Sequence, residues 1–227
     1  MRASRVDKSG RAYAGSQRWL QYYVNCNRPA LNAQIMSLAG MDGAAEIEWA
    51  SPLARARFAE YRDVAFLNAV GYPALRTQLR TFWPRGGPCW DALAKIRSKA
   101  YVHYGVLVVE AKSYPGEVIG NGCQAGPKSL AKIESAVQAT KSWLAAQPSA
   151  DWLGDLYQSA NRLAHLYFFR QIAHVPAWLV NVYFLNDPRT PTDRAEWERD
   201  IAATNEALGV RSSVPYTLTV FLEAKEI

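Results

Sequence analysis

Cysteine and histidine are both scarce in this chain, at three of each in 227 residues. Cys26, Cys89 and Cys123 are odd in number and form no C-x-x-C pair, so neither a disulfide framework nor a structural zinc site is expected. His103, His165 and His174 have no ligand spacing and are expected to be structural. No stretch approaches the roughly 20 uninterrupted apolar residues of a membrane-spanning helix. The first residues, MRASRVDKSGRAYAGS, contain no apolar block, so no secretory signal is expected and the chain is read as soluble and cytoplasmic. G-x-S-x-G is missing, and no cysteine has a histidine at catalytic spacing, which disfavours nucleophilic hydrolases. G-x-G-x-x-G and G-x-x-x-x-G-K-[ST] are missing too, which leaves dinucleotide and P-loop nucleotide binding without support.

What the chain does have is apolar bulk: 49% hydrophobic residues, with 8 Trp and 12 Tyr. That is ample for a core of ordinary domain size and far too much for global disorder. The net charge of +6 is unevenly placed. Arg2, Arg5, Lys8, Arg11, Arg18 and Arg28 face one acid, Asp7, within residues 1–41, which leaves +1 for the remaining 186. A basic arm attracts phosphate backbones without reading sequence, although a solubilising tail has the same composition.

Residues 1–16 lack periodicity and are expected to be a flexible basic arm, with 17–227 a single α/β domain. A helix is predicted over 17–39 with an interruption at Pro29. Ser51-Pro52 resembles an N-cap followed by proline at the first helical position, and Gly71 a stop, which predicts a helix over 52–70. Between turn signals, 80–83, 89–96 and 105–114 are predicted strands of a meander, with Val106-Leu107-Val108-Val109 buried on both faces. Helices are predicted over 129–146 and 152–172, and a strand over Ala177–Leu185. Asp193 with Glu196 forms a capping pair that opens a helix to Leu208, and Tyr216–Leu222 is a last strand.

Chemistry concentrates in Pro88-Cys89-Trp90-Asp91 and Glu110-Ala111-Lys112. Strand alternation puts Val108, Glu110 and Lys112 on one side and Leu107, Val109 and Ala111 on the other. An acid and a base at the end of a core strand must be paired, metal-bound or near water. Asp91, 19 residues earlier, reaches Glu110 if the two segments form a hairpin. Two carboxylates and a neighbouring main-chain carbonyl make a hard oxygen site for Mg²⁺ or Mn²⁺. Such a cation polarises a phosphoryl oxygen and acidifies bound water, while Lys112 orients or deprotonates that water. A surface salt-bridge cluster at a strand end is the plainer alternative.

Asp91 followed by Glu110-x-Lys112, in this order of elements, resembles the PD-(D/E)XK nuclease superfamily over roughly residues 52–186. The strings EYRDVAFLNAVG, PCWDALAKI, VVEAKSYPGE and YQSANRLAHLYFFRQ are similar to those of uncharacterised bacterial proteins placed in it. Trp90 precedes Asp91 where the family pattern has proline, and Pro88 lies further upstream. The resemblance implies a restriction-endonuclease-like α/β core with an N-terminal helical extension. It also implies a metal-dependent nuclease, with DNA ahead of RNA as substrate.

By the same resemblance, an acid from the first helix adds a metal ligand. Glu60, within the stripe Leu53, Ala56, Val64 and Leu67, suits that role. A polar or basic residue from a neighbouring helix points to Gln158 and Arg162 for water or phosphate contact, against the alternative of a solvated face. Gln124 and Glu117, in the glycine-rich loop after the motif strand, are candidates to border the site. Tyr13, Trp19, Tyr22 and Tyr23 interleave with basic residues, as base-stacking or core groups. A non-catalytic member that binds nucleic acid or protein is the competing function. Either reading leaves room for a homodimer or a protein partner that supplies specificity.

Overall fold

The computed structural model describes residues 5–41, 45–97, 104–211 and 213–226. Three antiparallel strands, β1 (Glu46–Ser51), β2 (Ala92–Arg97) and β3 (Gly105–Lys112), form a meander. It continues into β4 (Ala177–Leu185) and β5 (Thr217–Glu223), both parallel to β3, so that spatial order follows chain order. Parallel neighbours require crossovers. The first runs through α5 (Pro127–Leu144) and α6 (Tyr157–Tyr167), and the second through α7 (Arg194–Ala207). The other helices are α1 (Gly15–Cys26), α2 (Arg28–Leu38), α3 (Asp63–Ala69) and α4 (Arg76–Phe82). Among the described residues this is an α/β fold on one mixed, open five-stranded sheet, and no helix is long and apolar enough to cross a membrane.

Each face of the sheet carries its own core. Leu107, Val109, Val180, Val182, Leu218 and Val220 pack under α1 and α2, against Trp19, Leu20, Tyr23 and Ile35. On the other face Val106, Val108, Leu93 and Leu179 meet Phe66, Ile133, Leu163, Phe168 and Trp197 of the remaining helices. Fully burying one such side chain contributes about 1.5–3 kcal/mol, so both layers hold the sheet. β3 is buried at every position except Lys112.

Several expectations need correction. The predicted helix over 52–70 does not form. Ser51 ends β1 instead, a short 3₁₀ turn covers Ala54–Ala56, and helix resumes only at Asp63. Arg57 and Phe58 both take left-handed backbone angles, at φ 54° and 56°, which an α-helix of L-residues does not tolerate. The predicted strand over 80–83 is the end of α4. The first strand of the meander is β1, where Ile47 and Trp49 alternate with Glu46 and Glu48. The first predicted helix breaks at Asn27, before Pro29.

The helix predicted over 152–172 starts at Tyr157 and ends in a π turn, Phe168–Ile172. Asp193 caps α7 as expected, accepting from the Glu196 N–H at 2.8 Å. In the N-terminal segment, Val6 bridges Ala12, the Ala12 N–H donates to the buried Gln21, and Arg57 donates to the Lys8 carbonyl. Arg2 and His103 lie outside the described residues.

Candidate active site

The antiparallel register that pairs Ala92 with Val109 puts Asp91 next to Glu110 across the β2–β3 hairpin. Asp91 Oδ2 accepts from the Ala111 N–H at 2.8 Å, which locks the carboxylate to the motif strand. The approach to Asp91 is held from three directions. Asp63 accepts from the Gly86 and Gly87 N–H groups at 3.2–3.3 Å, and the Trp90 N–H donates to the Tyr61 carbonyl at 3.1 Å. Arg162 Nη2 donates to the Cys89 carbonyl at 3.1 Å. The Trp90 ring is fully buried, edge-on to Phe66 and His165, and fixes the backbone from which Asp91 projects.

Glu110 is buried, and both its oxygens are engaged. Oε1 accepts from Lys112 Nζ at 2.8 Å and from Gln158 Nε2 at 2.9 Å. Oε2 takes Arg162 Nε at 2.8 Å and Nη2 at 2.7 Å. Lys112 Nζ also donates to Gln158 Oε1 at 3.0 Å, closing a triangle of Lys112, Gln158 and Glu110. The Arg162 guanidinium lies 5.3 Å from the centre of the Trp90 ring and reaches Asn161 Oδ1 at 2.8 Å. A buried charge is costly unless paired and hydrogen-bonded, and here Glu110 is both.

The electrostatics separate the two carboxylates. Burial acts to raise the Glu110 carboxyl, but Arg162 and Lys112 outweigh it and hold the group below its usual range. Asp91 is pushed well above its usual range, first by burial and then by the Glu110 charge. Two neighbouring carboxylates with opposite shifts are a recurrent feature of acid–base and metal sites.

Glu60 reaches the same area by a route other than the predicted helix. The Tyr61–Trp90 bridge draws its extended segment alongside Cys89, and Gln17 Nε2 donates to Glu60 Oε1 at 2.9 Å. Burial raises the Glu60 carboxyl, and the Glu110 charge adds to that effect. No three His, Cys, Asp or Glu side chains among the described residues form a ready-made metal cage.

Gln158 and Arg162 come to the site, and the solvated face that was the alternative does not form: Asn161, Arg162 and His165 are all buried. Gln124 stays in its own loop, exposed, with Nε2 donating to the Asn121 carbonyl. Glu117 caps the turn after β3 by accepting from the Ser113 N–H. Asp63 sits 3.6 Å from Arg80 as well as binding the glycine turn. Trp19 and Tyr23 are core, and Tyr13 is exposed.

His165 is structural. Its Nδ1 donates to the Asn161 carbonyl at 2.8 Å, and burial pushes its pKa down to about 4. Two features went unnoticed in the sequence: Asp63 as a positioning residue, and a polar row made by Asn181 and Thr219 beside Glu110. The second had a signal, an asparagine in the middle of the apolar run AWLVNVYFL. No protein-family model, curated protein or solved structure matches the chain.

Proposed function

We propose that this chain is a metal-dependent nuclease that hydrolyses phosphodiester bonds, with DNA ahead of RNA as substrate. The observation that carries the reading is the convergence of Asp91, Glu110 and Lys112 at one end of the β2–β3 hairpin, with Glu60 close enough for its charge to be felt. A helical layer, an antiparallel three-strand meander, crossover helices and a parallel fourth strand also agree with a restriction-endonuclease-like core.

The donor set suits Mg²⁺ or Mn²⁺. Such ions are commonly held by one or two carboxylates, with water and phosphate oxygens completing the shell. Asp91 Oδ1 has no hydrogen-bond partner among the described residues and is the natural first ligand, and Glu110 would join it by giving up the hydrogen bond of Lys112 or Gln158 to Oε1. Glu60, whose charge couples to Asp91 and Glu110, would add negative charge beside a cation held there. A bound cation supplies Lewis-acid polarisation of the phosphoryl oxygen and a more acidic water.

The chain's own groups do the rest. Lys112, held by Glu110 and Gln158, presents a fixed positive charge to the attacking water and to the charge that develops on phosphorus oxygens. Arg162 neutralises Glu110 and anchors the Cys89 carbonyl, so it keeps both motif segments in register. Asp63 and the Tyr61–Trp90 bridge hold the loop that aims Asp91.

The test is cleavage of supercoiled, linear and single-stranded DNA and of RNA, in Mg²⁺, Mn²⁺ or EDTA, by the wild-type chain and by Lys112→Ala. Metal-dependent cutting that the variant loses supports the proposal. Nucleic-acid binding without any cutting, unaltered in Lys112→Ala, favours the non-catalytic reading.

A further inference from the structure

On one face of the sheet, Glu110, Asn181 and Thr219 stand side by side on β3, β4 and β5, in a row set by the parallel registers Glu110–Asn181 and Asn181–Thr219. With strands about 4.8 Å apart, the row runs roughly 10 Å away from Glu110. A helix that crosses a parallel sheet normally buries apolar side chains here. Instead, a cavity of about 200 Å³ remains between the row and helices α6 and α7.

Glu110, Lys112 and Gln158 belong both to this cavity and to the candidate active site. Its other walls are mixed: Leu163, Leu179, Ile201, Leu208 and Val214 alternate with the hydroxyl and amide groups of Ser159, Thr204, Asn205, Ser213 and Thr217. Asn181 and Thr219 have no side-chain hydrogen-bond partner among the described residues, so an amide and a hydroxyl are available to a ligand. Lys112 and Arg162 are the cations lining it among the described residues, and both are already bonded to Glu110.

We infer that this cavity is a subsite for a single nucleobase next to the scissile phosphate, so that the substrate is unpaired at that nucleotide. The ligand class follows from the lining. Leu163, Leu179, Ile201 and Leu208 give the faces of a flat ring apolar contact, while the hydroxyl and amide groups between them can bond its polar edge. An asparagine amide offers one acceptor and two donors, the pattern that pairs with the edge of a base. The volume admits one ring system and falls short of the roughly 300–1,000 Å³ of drug-sized sites. A base enters such a pocket only when it is out of the duplex stack, by single-strandedness or by flipping.

The position next to the scissile phosphate rests on the nuclease reading, whereas binding of a base does not. The first experiment is therefore calorimetric titration of the full chain, in EDTA, with adenosine, guanosine, cytidine, uridine and thymidine, and with methyl riboside as the sugar alone. The same titrations are run on Asn181→Leu, which removes the amide and narrows the cavity, and on Thr219→Val, a near-isosteric change that serves if the first variant does not fold. The expected result is binding of at least one nucleoside, weakened tenfold or more by either variant, with no binding of methyl riboside. No nucleoside binding, equal binding by both variants, or binding of the sugar alone overturns the inference.

The second arm compares cleavage of single-stranded oligonucleotides with and without one abasic site beside the cut. Cleavage that depends on Lys112 but ignores both the abasic site and Asn181→Leu removes the base subsite and leaves the nuclease reading intact. Nucleoside binding that depends on Asn181, with no cleavage of any substrate, does the reverse.

Discussion

The two faces of the central sheet have the same backbone and opposite chemistry. Under α1 and α2 the side chains of β3, β4 and β5 are apolar from end to end: Leu107, Val109 and Ala111, then Val180 and Val182, then Leu218, Val220 and Leu222. On the other face the apolar character is interrupted by a polar band, beyond which Tyr183 and Phe221 pack again. Val106, Val108 and Leu179 give way to Glu110, Lys112, Asn181 and Thr219. Hydrophobic burial explains the first face completely. It does not explain a buried Glu–Arg–Lys network, or an asparagine with no side-chain partner among the described residues, on the second, because apolar residues of similar volume often give equal or greater stability there. The first face keeps the sheet together, and the second bears a cost in stability, the pattern that candidate functional sites commonly have.

The largest expected effect sharpens this contrast. Lys112→Ala should lower metal-dependent cleavage by roughly 10²–10⁴-fold, the usual worth of a positioned electrostatic or proton-transfer group. Leu107→Ala, on the apolar face, should cost about 2–5 kcal/mol of stability by leaving a cavity. Cleavage assays and urea unfolding of both variants check the division. A Leu107→Ala chain that folds normally but cuts as poorly as Lys112→Ala would break it.

Next comes the buried ion pair. Glu110→Gln leaves Arg162 without a counter-charge, and Arg162→Met leaves Glu110 with Lys112 alone. Each should cost about 3–5 kcal/mol. The double variant should cost clearly less than the two single effects combined, as a double-mutant cycle by chemical denaturation would read. Additive losses would mean that the two side chains act on stability independently.

His165 gives a pH-dependent test on the polar face. Its folded pKa of about 4 lies below the roughly 6.5 of an unfolded histidine, so acid favours the unfolded chain. This contribution is fully present above about pH 6.5 and is lost as pH falls through 4, for about 3 kcal/mol in all. His165→Phe should flatten that part of the stability–pH curve, and an unchanged curve would contradict a buried, neutral ring. The smallest effect is on the cavity. Asn181→Leu should raise stability by about 1 kcal/mol, read as a higher melting temperature, because it extends the apolar face over the polar row.

Much of this layout was legible in the chain itself. The run Val106–Val109 ending in Glu110-x-Lys112 reads as a buried strand with chemistry at its end, and Asp91 follows as its hairpin partner. The strand Ala177–Leu185 and the Asp193 cap are also local patterns that tertiary packing left unchanged. The segment 52–70 was not legible. Its helical stripe is real as a pattern, but the left-handed pair Arg57–Phe58 breaks the chain there, and Glu60 arrives through a bridge to Trp90 that no spacing encodes. β1 was hidden because Ser51-Pro52, read as a helix start, lies at its end. The destination of Arg162 depends on how α6 rotates against the sheet, where Leu163 packs into the core and Arg162 lies over the ring of Trp90 from a distant segment.

The central claim is that the carboxylates at the polar end of the sheet hold a divalent cation, and calorimetric titration of Mn²⁺ into the wild-type chain and into Asp91→Asn tests it most directly. The account predicts a saturable binding event in the wild type that disappears or weakens at least tenfold in the variant. Identical isotherms for the two chains, or no saturable binding by the wild type, would contradict it.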